Sequence, residues 1–297
     1  MGYRRVVRRF LVILLAACSH APSGPPVELI ATTPPAWIEV ITHAKHDLAI
    51  EASRLSDPAV VDALVAFVKS NGTLRLLVEK SRMGADADQL ARLMQLKVRV
   101  VSLDLGTLEG TLDASYAIGD DDAVLGGFDA ELGARVRDGA VLAQLRAVFE
   151  TDWAFASGEP APQAAAPTGA IRLDASPQVH QPPGVPLEQT DLADMIAAAQ
   201  GQLSIALPGG YPDLGAPIAA AAARGVKIRM ILATRPDEPV SGVEIRVGVV
   251  HASLLVAGTH AWLGSGEWTR DARTIGLAID DPKIAQLFEA KWRAATP

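Results

Sequence analysis

The chain has 297 residues, 49% of them apolar, enough for one large or two medium globular domains with a substantial core. Lys and Arg number 27 against 34 Asp and Glu, a net charge of −7, and no Lys/Arg-rich run interrupts this acidic balance. Such a surface repels nucleic acid and anionic lipid at long range, and a single cysteine excludes internal disulfides and thiolate metal sites.

The N-terminus places Arg4, Arg5, Arg8 and Arg9 before an apolar run and then Leu15-Ala16-Ala17-Cys18. A basic segment, a short apolar segment and small residues form an export signal, too short to span a bilayer as a stable helix. Small residues ahead of a lone cysteine resemble the lipobox of bacterial lipoproteins. The resemblance implies cleavage after residue 17, lipidation of Cys18 and a membrane partner reached through its acyl chains. It also implies a cell-envelope location, with Ser19 after the cysteine favouring the outer membrane, facing the periplasm or the exterior. An ordinary signal peptide with an incidental cysteine is the plainer alternative. Loss of the four arginines makes the remaining body still more acidic.

Residues 18–35, rich in Pro, Ser and Thr, read as a flexible tether. A first half, 36–156, then opens with a helix at 36–45, a strand at 47–52, a helix at 58–69 and a strand at 73–78. Residues 116–118 and 123–125 flank Gly119-Asp120-Asp121 as a hairpin. A Pro/Ala/Gly-rich linker is expected at 157–186. A second half, 187–297, repeats the order: helix 187–200, strand 202–207, helix 214–224, strand 226–232, and a hairpin of 254–256 with 261–263. In both halves a helix stops near Gly and a β-branched, apolar strand follows, the pattern of a βαβ unit. Gly126-Gly127 and Gly264-Ser265 stand after the two hairpins. The closing amphipathic helices carry Phe149-x-x-x-Trp153 and Phe288-x-x-x-Trp292. The tryptophans read as core anchors rather than ligand platforms.

The second half resembles the phospholipase D superfamily, whose motif runs His-x-Lys, four residues, Asp, about six residues, then Gly-Ser-x-Asn. Here the run is His251-Ala252-Ser253, four residues, Gly258, then Gly264-Ser265-Gly266-Glu267-Trp268. The gap from Gly258 to Gly264 is one residue shorter than the common pattern. In the first half Asp113, Ser115 and Asp120 stand at the His, Lys and Asp positions, and Gly126-Gly127-Phe128-Asp129 at the Gly-Ser-x-Asn position. The resemblance implies an α/β fold of two similar halves, with mixed sheets packed face to face around a pseudo-twofold. It also implies a cleft built for a histidine nucleophile, a histidine acid and paired lysines on a phosphodiester or phospholipid ligand.

Most of those groups are replaced. His251 alone keeps a catalytic identity; Ser115 and Ser253 take the lysine positions, Asp113 a histidine position and Gly258 an aspartate position. Loss of a general acid or base costs a factor of roughly 10²–10⁴, and a carboxylate at Asp113 repels a phosphodiester. The expectation is a degenerate site that binds a ligand or partner. A phosphodiesterase working through His251 is the alternative, and a purely structural envelope protein the third class. Glu267 could pair with His251 or cap a turn. A Ser265–His251–Glu267 triad lacks a Gly-x-Ser-x-Gly elbow. Asp120, Asp121 and Asp122 read as a solvated hairpin tip rather than a cation loop, and His43 and His46 as an exposed helix face. His180 and His260 read as loop or turn residues. The sequence points to no cofactor and no metal.

Overall fold

The computed structural model describes residues 25–104, 111–128, 130, 132–160, 172–176, 191–211, 214–265 and 272–296. The expected signal and Cys18 lie outside the described residues.

The first half begins earlier than its composition suggests. Strand β1 (Val27–Ile30) pairs antiparallel with β8 (Gly133–Val136), and helix α1 (Thr33–His43) follows two residues later. The expected tether at 18–35 therefore contains a strand and a first helical turn. Pro34 and Pro35 do not end a flexible segment. They sit where a helix has no use for an amide proton, so proline fits there. Strand β2 (Asp47–Ala52), helix α2 (Pro58–Lys69), strand β3 (Thr73–Glu79), helix α3 (Ala87–Met94) and strand β4 (Arg99–Leu103) come next. Asp57 caps α2 by accepting from the N–H groups of Ala59 at 2.7 Å and Val60 at 3.3 Å. Strands β5 (Thr111–Leu112), β6 (Tyr116–Ile118) and β7 (Ala123–Leu125) lead through β8 into the long helix α4 (Gly139–Ser157). Asp138 caps that helix, and Gly158 ends it with a left-handed φ of 71°.

The second half runs β9 (Arg172–Ser176), α5 (Asp191–Ala198), β10 (Gln202–Leu207), α6 (Gly215–Ala223), β11 (Lys227–Leu232) and β12 (Val243–Val247). It closes with β13 (Ala252–Ala257), β14 (His260–Ser265), β15 (Ala272–Asp280) and α7 (Pro282–Ala294). The stretch expected as linker at 157–186 thus holds β9, which pairs antiparallel with β15 as β1 pairs with β8.

Among the described residues the strands form two mixed sheets. One is ordered β1-β8-β7-β6-β2-β3-β4. The other is ordered β12-β11-β10-β13-β14-β15-β5, with β9 also on β15. Read from opposite ends, the orders match strand for strand. The ladders fix the correspondence: Tyr116 pairs with Leu125 and Leu254 with Leu263, so Asp113 is the counterpart of His251 and Ser115 of Ser253. Two differences stand out. Helix α3 has no described counterpart between β11 and β12. Strand β5 of the first half crosses to pair parallel with β15 of the second.

Period-two alternation assigns each strand residue to a face. In β2, Leu48 and Ile50 pack outward with Trp37, Ile41, Val61 and Leu64, whereas Ala49 faces a core shared by both halves. That shared core joins Leu77, Tyr116, Phe149 and Trp153 to Leu254, Leu277, Phe288 and Trp292. A third cluster packs α5 and α6 on the outer face of the second sheet around Trp262. The layers therefore run helices, sheet, inner helices α4 and α7 with directly apposed strands, sheet, helices.

The repeated Phe-x-x-x-Trp endings do the same work twice. Phe149 and Trp153 stack at 5.6 Å, and Phe288 and Trp292 at 5.9 Å. Arg75 lies 5.0 Å from the Phe149 ring centre and Arg229 lies 5.4 Å from that of Phe288. Each guanidinium is held by the glutamate after its phenylalanine, Glu150 at 2.6 and 2.8 Å for Arg75 and Glu289 for Arg229. The hydrogen bond to Glu150 raises the pKa of Arg75 above its ordinary value, and the bond from Arg229 holds the Glu289 carboxyl below its own.

Paired glycines form a second duplicated device. Gly264 and Gly276 face each other across β14 and β15, and a Cβ on either would meet the Trp262 ring at 1.9 or 2.2 Å. Their counterparts Gly126 and Gly133 are covered from the helix side. Trp37 Nε1 donates to the Gly126 carbonyl at 2.9 Å, and Thr33 packs on both glycines. One half covers its pair with a threonine methyl from a helix, the other with an indole from a strand.

Candidate functional site

The parallel strands β2 and β3 carry Glu51 and Glu79 near their C-terminal ends, both on the face toward the shared core. Because β6 runs antiparallel to β2, with Glu51 opposite Tyr116, the residues preceding β6 arrive at the same end of the sheet. Asp113 and Ser115 therefore gather with Glu51, Ser53, Glu79 and Arg82.

The contacts at this end are specific. Ser115 Oγ accepts from the Ser53 backbone N–H at 3.2 Å and lies 3.1 Å from Ser53 Oγ. Tyr116 donates its hydroxyl to Glu51 at 2.7 Å, both side chains being fully buried. Arg82 bridges two carboxylates, with Nε 2.9 Å from Glu79 Oε2 and Nη2 donating to Asp113 Oδ1 at 3.2 Å. Ser81 donates to the other Glu79 oxygen at 2.5 Å. Arg82 thus joins Glu79 to Asp113, while Glu51 is held by Tyr116. Burying carboxylates is costly, and the Tyr116 hydroxyl on Glu51, Ser81 and Arg82 on Glu79, and Arg82 on Asp113 offset part of that cost. The electrostatic sign is opposite to that of a cationic phosphate clamp. Ser115, at a lysine position, is 2% exposed and turned to Ser53.

In the second half the corresponding sheet end holds His251, exposed in the bend before β13, next to Val249, an exposed apolar residue. Ser253 is fully buried within β13, and it and His251 each have an interaction partner. Ser265 closes β14, opposite Ala252. Glu267 lies outside the described residues, so the expected His251–Glu267 pairing and the triad fall there too. Strand β5 pairs Leu112 with Arg273, which sets Asp113, the next residue, beside the junction of the halves.

Asp120 does not join this end. It lies at the far end of β6, in the hairpin tip, where its carboxylate accepts from the backbone N–H groups of Lys45, His46 and Asp47. Burial raises its pKa, but those three hydrogen bonds outweigh burial and leave it below the usual carboxylate range. Arg146 ties the same tip to α4 through the carbonyls of Gly119 and Asp120. Asp120 is a bracket between the hairpin and the α1–β2 turn. The sequence reading missed Glu51, Glu79, Arg82 and Tyr116. The available signal was a glutamate at an inward position in two strands that are otherwise apolar on that face.

Among the described residues no group of three His, Cys, Asp or Glu side chains is placed to hold a metal, and no helix is long and apolar enough to cross a membrane.

No protein-family model matches this sequence, and no curated protein matches it in sequence. Solved structures do match in fold. The chain is similar to a phosphatidylserine synthase from Haemophilus influenzae Rd KW20, with TM-score 0.64 and 13% identity over 90% of this chain and 86% of that one. It is also similar to a polyphosphate kinase from Porphyromonas gingivalis, with TM-score 0.63 and 14% identity over 90% of this chain and 47% of that one. The chain thus spans about half the length of the kinase. A phospholipase D family member, Nuc from Salmonella typhimurium, matches 42% of this chain and 95% of its own, with TM-score 0.34 and 16% identity. The fold is an α/β, two-half, phospholipase D-like architecture.

Proposed function

We propose that this protein is an exported, membrane-anchored lipoprotein whose phospholipase D-like cleft no longer cleaves phosphodiesters and acts by binding a ligand or partner. One observation carries the loss of catalysis: at the first-half motif end the groups in place are Asp113, Ser115, Glu51 and Glu79, bonded to Arg82, Ser53 and Tyr116. A phosphohistidine route needs a second proton donor and cationic help for the transferred phosphoryl group. At the motif positions of that end stand Asp113 and Ser115 in place of an imidazole and an ammonium, the Lys80 ammonium after Glu79 is bound to Asp104 at 2.6 Å, and a carboxylate at Asp113 opposes an incoming phosphate. Lipidation of Cys18 and an outer-membrane location rest on the N-terminal sequence.

The test is hydrolysis of a chromogenic phosphodiester by purified protein, alongside His251→Ala. No turnover above a buffer control is expected for either form. Turnover abolished by His251→Ala would replace this reading with the competing one, a phosphodiesterase on phospholipid or nucleic acid working through His251. The exposed position of His251 favours that competitor. For the anchor, Cys18→Ser is expected to move the protein from the membrane to the soluble fraction; continued sedimentation with membranes would refute lipidation.

A further inference from the structure

The internal repeat makes each half a comparison for the other, and helices α2 and α6 close on the same turn with different chemistry. After α2, the Asn71 N–H donates to the Val68 carbonyl at 3.1 Å and the Gly72 N–H to that of Phe67 at 3.2 Å. After α6, the Gly225 N–H donates to Ala222 at 2.9 Å and the Val226 N–H to Ala221 at 3.2 Å. Asn71 and Gly225 both take the left-handed conformation, with φ 69° and 86°.

The side chains around the two turns differ. Phe67 stands where α6 has Ala221, and its ring lies over Gly72, where a Cβ would meet ring atoms at 2.3 and 2.5 Å. Position 72 is therefore held to glycine, whereas the second half carries Val226 there. Position 71 needs a left-handed residue, and asparagine is one of the few side chains that visits that region routinely. Two separate local demands thus set Asn71 directly before Gly72. Asn71 is exposed, and it is the only asparagine in the chain.

We propose that Asn71 is a site of spontaneous covalent modification whose rate is held down by the folded turn. The Gly72 nitrogen gives its proton to water or hydroxide and bonds to the side-chain carbonyl carbon of Asn71. The bond from that carbon to Nδ2 breaks, ammonia leaves, and a succinimide ring closes. Water then opens the ring at one carbonyl or the other, giving an aspartyl or an isoaspartyl residue. Glycine leaves the attacking nitrogen uncrowded. In the folded turn, however, the proton on that nitrogen is engaged by the Phe67 carbonyl, so reaction waits on local opening of the end of α2. Either product sets a carboxylate at the negative end of the helix dipole. The isoaspartyl form also adds a main-chain atom just before Thr73, whose N–H is held by the His46 carbonyl at 2.8 Å where the β2–β3 ladder begins. Modification thus loosens the first sheet at that end. The turn lies at the opposite end of β3 from Glu79, so the inference is independent of the proposed function.

The test is peptide mass mapping of the full chain during incubation at mildly alkaline pH, with isoaspartyl methyltransferase labelling of the isoaspartyl product. Exchange of ammonia for water is expected at position 71, at least tenfold slower in buffer than in concentrated urea. Asp138-Gly139 can close the same ring but releases no ammonia, so mass separates the two sites. Phe67→Leu uncovers Gly72; with the fold confirmed by circular dichroism, it should speed the reaction at least threefold in buffer and leave it unchanged in urea. Asn71→Gly, the second half's solution, should remove the product. No product at position 71 in buffer after months, equal rates in buffer and urea, or an unchanged rate in folded Phe67→Leu would each overturn the proposal.

Discussion

Gly276 illustrates how a single atom can be excluded. Its missing Cβ is the room the Trp262 indole occupies, and the ring is fixed on its other edge by the outer core of the second half. Gly276→Ala is expected to destabilise by about 1–3 kcal/mol, the usual cost of overpacking, read as a lower midpoint in urea with an unchanged slope. Acid sensitivity also belongs to particular residues. Asp120 and Glu289 both have folded pKa values below their unfolded ones. Their contribution is present above the ordinary carboxylate pKa of about 4 and is lost as pH falls through the lower folded value. Stability should therefore drop below about pH 4. Asp120→Asn and Glu289→Gln should each flatten that drop, as followed by thermal melts across pH. The proposed absence of catalysis also sits at the residue scale: serines, Ser115 and Ser253, stand two residues after Asp113 and His251, and the counterpart of His251 is an aspartate.

Helix and strand boundaries show what local chemistry specifies. Strand β2, helix α2 and the β6–β7 hairpin follow directly from alternation, an Asp-Pro cap and a Gly-Asp turn, and they stand where the sequence places them. Strands β1 and β9 were illegible. Each has only a few residues among prolines and small side chains, and each is a strand only because the edge of β8 or β15 offers unpaired backbone groups. Helix α3 was overlooked because it is short and mostly polar, burying only Leu90 and Leu93. The candidate site was half legible. Motif spacing located Asp113, Ser115 and His251, but Glu51, Glu79 and Arg82 come from elements far away in sequence that only the sheet brings together. A helix terminus offers a further test. Asn71 ends α2 with φ 69°, its counterpart Gly225 ends α6 with φ 86°, and Lys97 follows α3 with φ 60°. Lys97→Gly is expected to raise stability by up to about 1 kcal/mol in chemical denaturation, since a β-carbon is strained there. Asn71→Gly should gain less, because asparagine tolerates that conformation better.

At the scale of the molecule, the shared core couples the halves. Tyr116, Phe149 and Trp153 bury against partners contributed by the other half, and β5 is donated across the boundary. A fragment comprising residues 25–160 would expose that face and lose the partner strand. It is expected to be aggregated or molten, with poor amide dispersion by NMR, and the intact chain to unfold in one calorimetric transition. An independently folded fragment would show that the contacts between halves contribute little.

The unlike side chains that cover the two glycine pairs limit how the halves can exchange segments. The Thr33 methyl packs from a helix onto Gly126 and Gly133, with Trp37 donating to the Gly126 carbonyl, while the Trp262 ring rises from a strand onto Gly264 and Gly276. A chimera carrying the front of one half into the other would bring the Thr33 methyl and the Trp262 ring to a single slot, or leave that slot with neither. Segments around the glycine pairs are therefore not interchangeable between the halves one at a time.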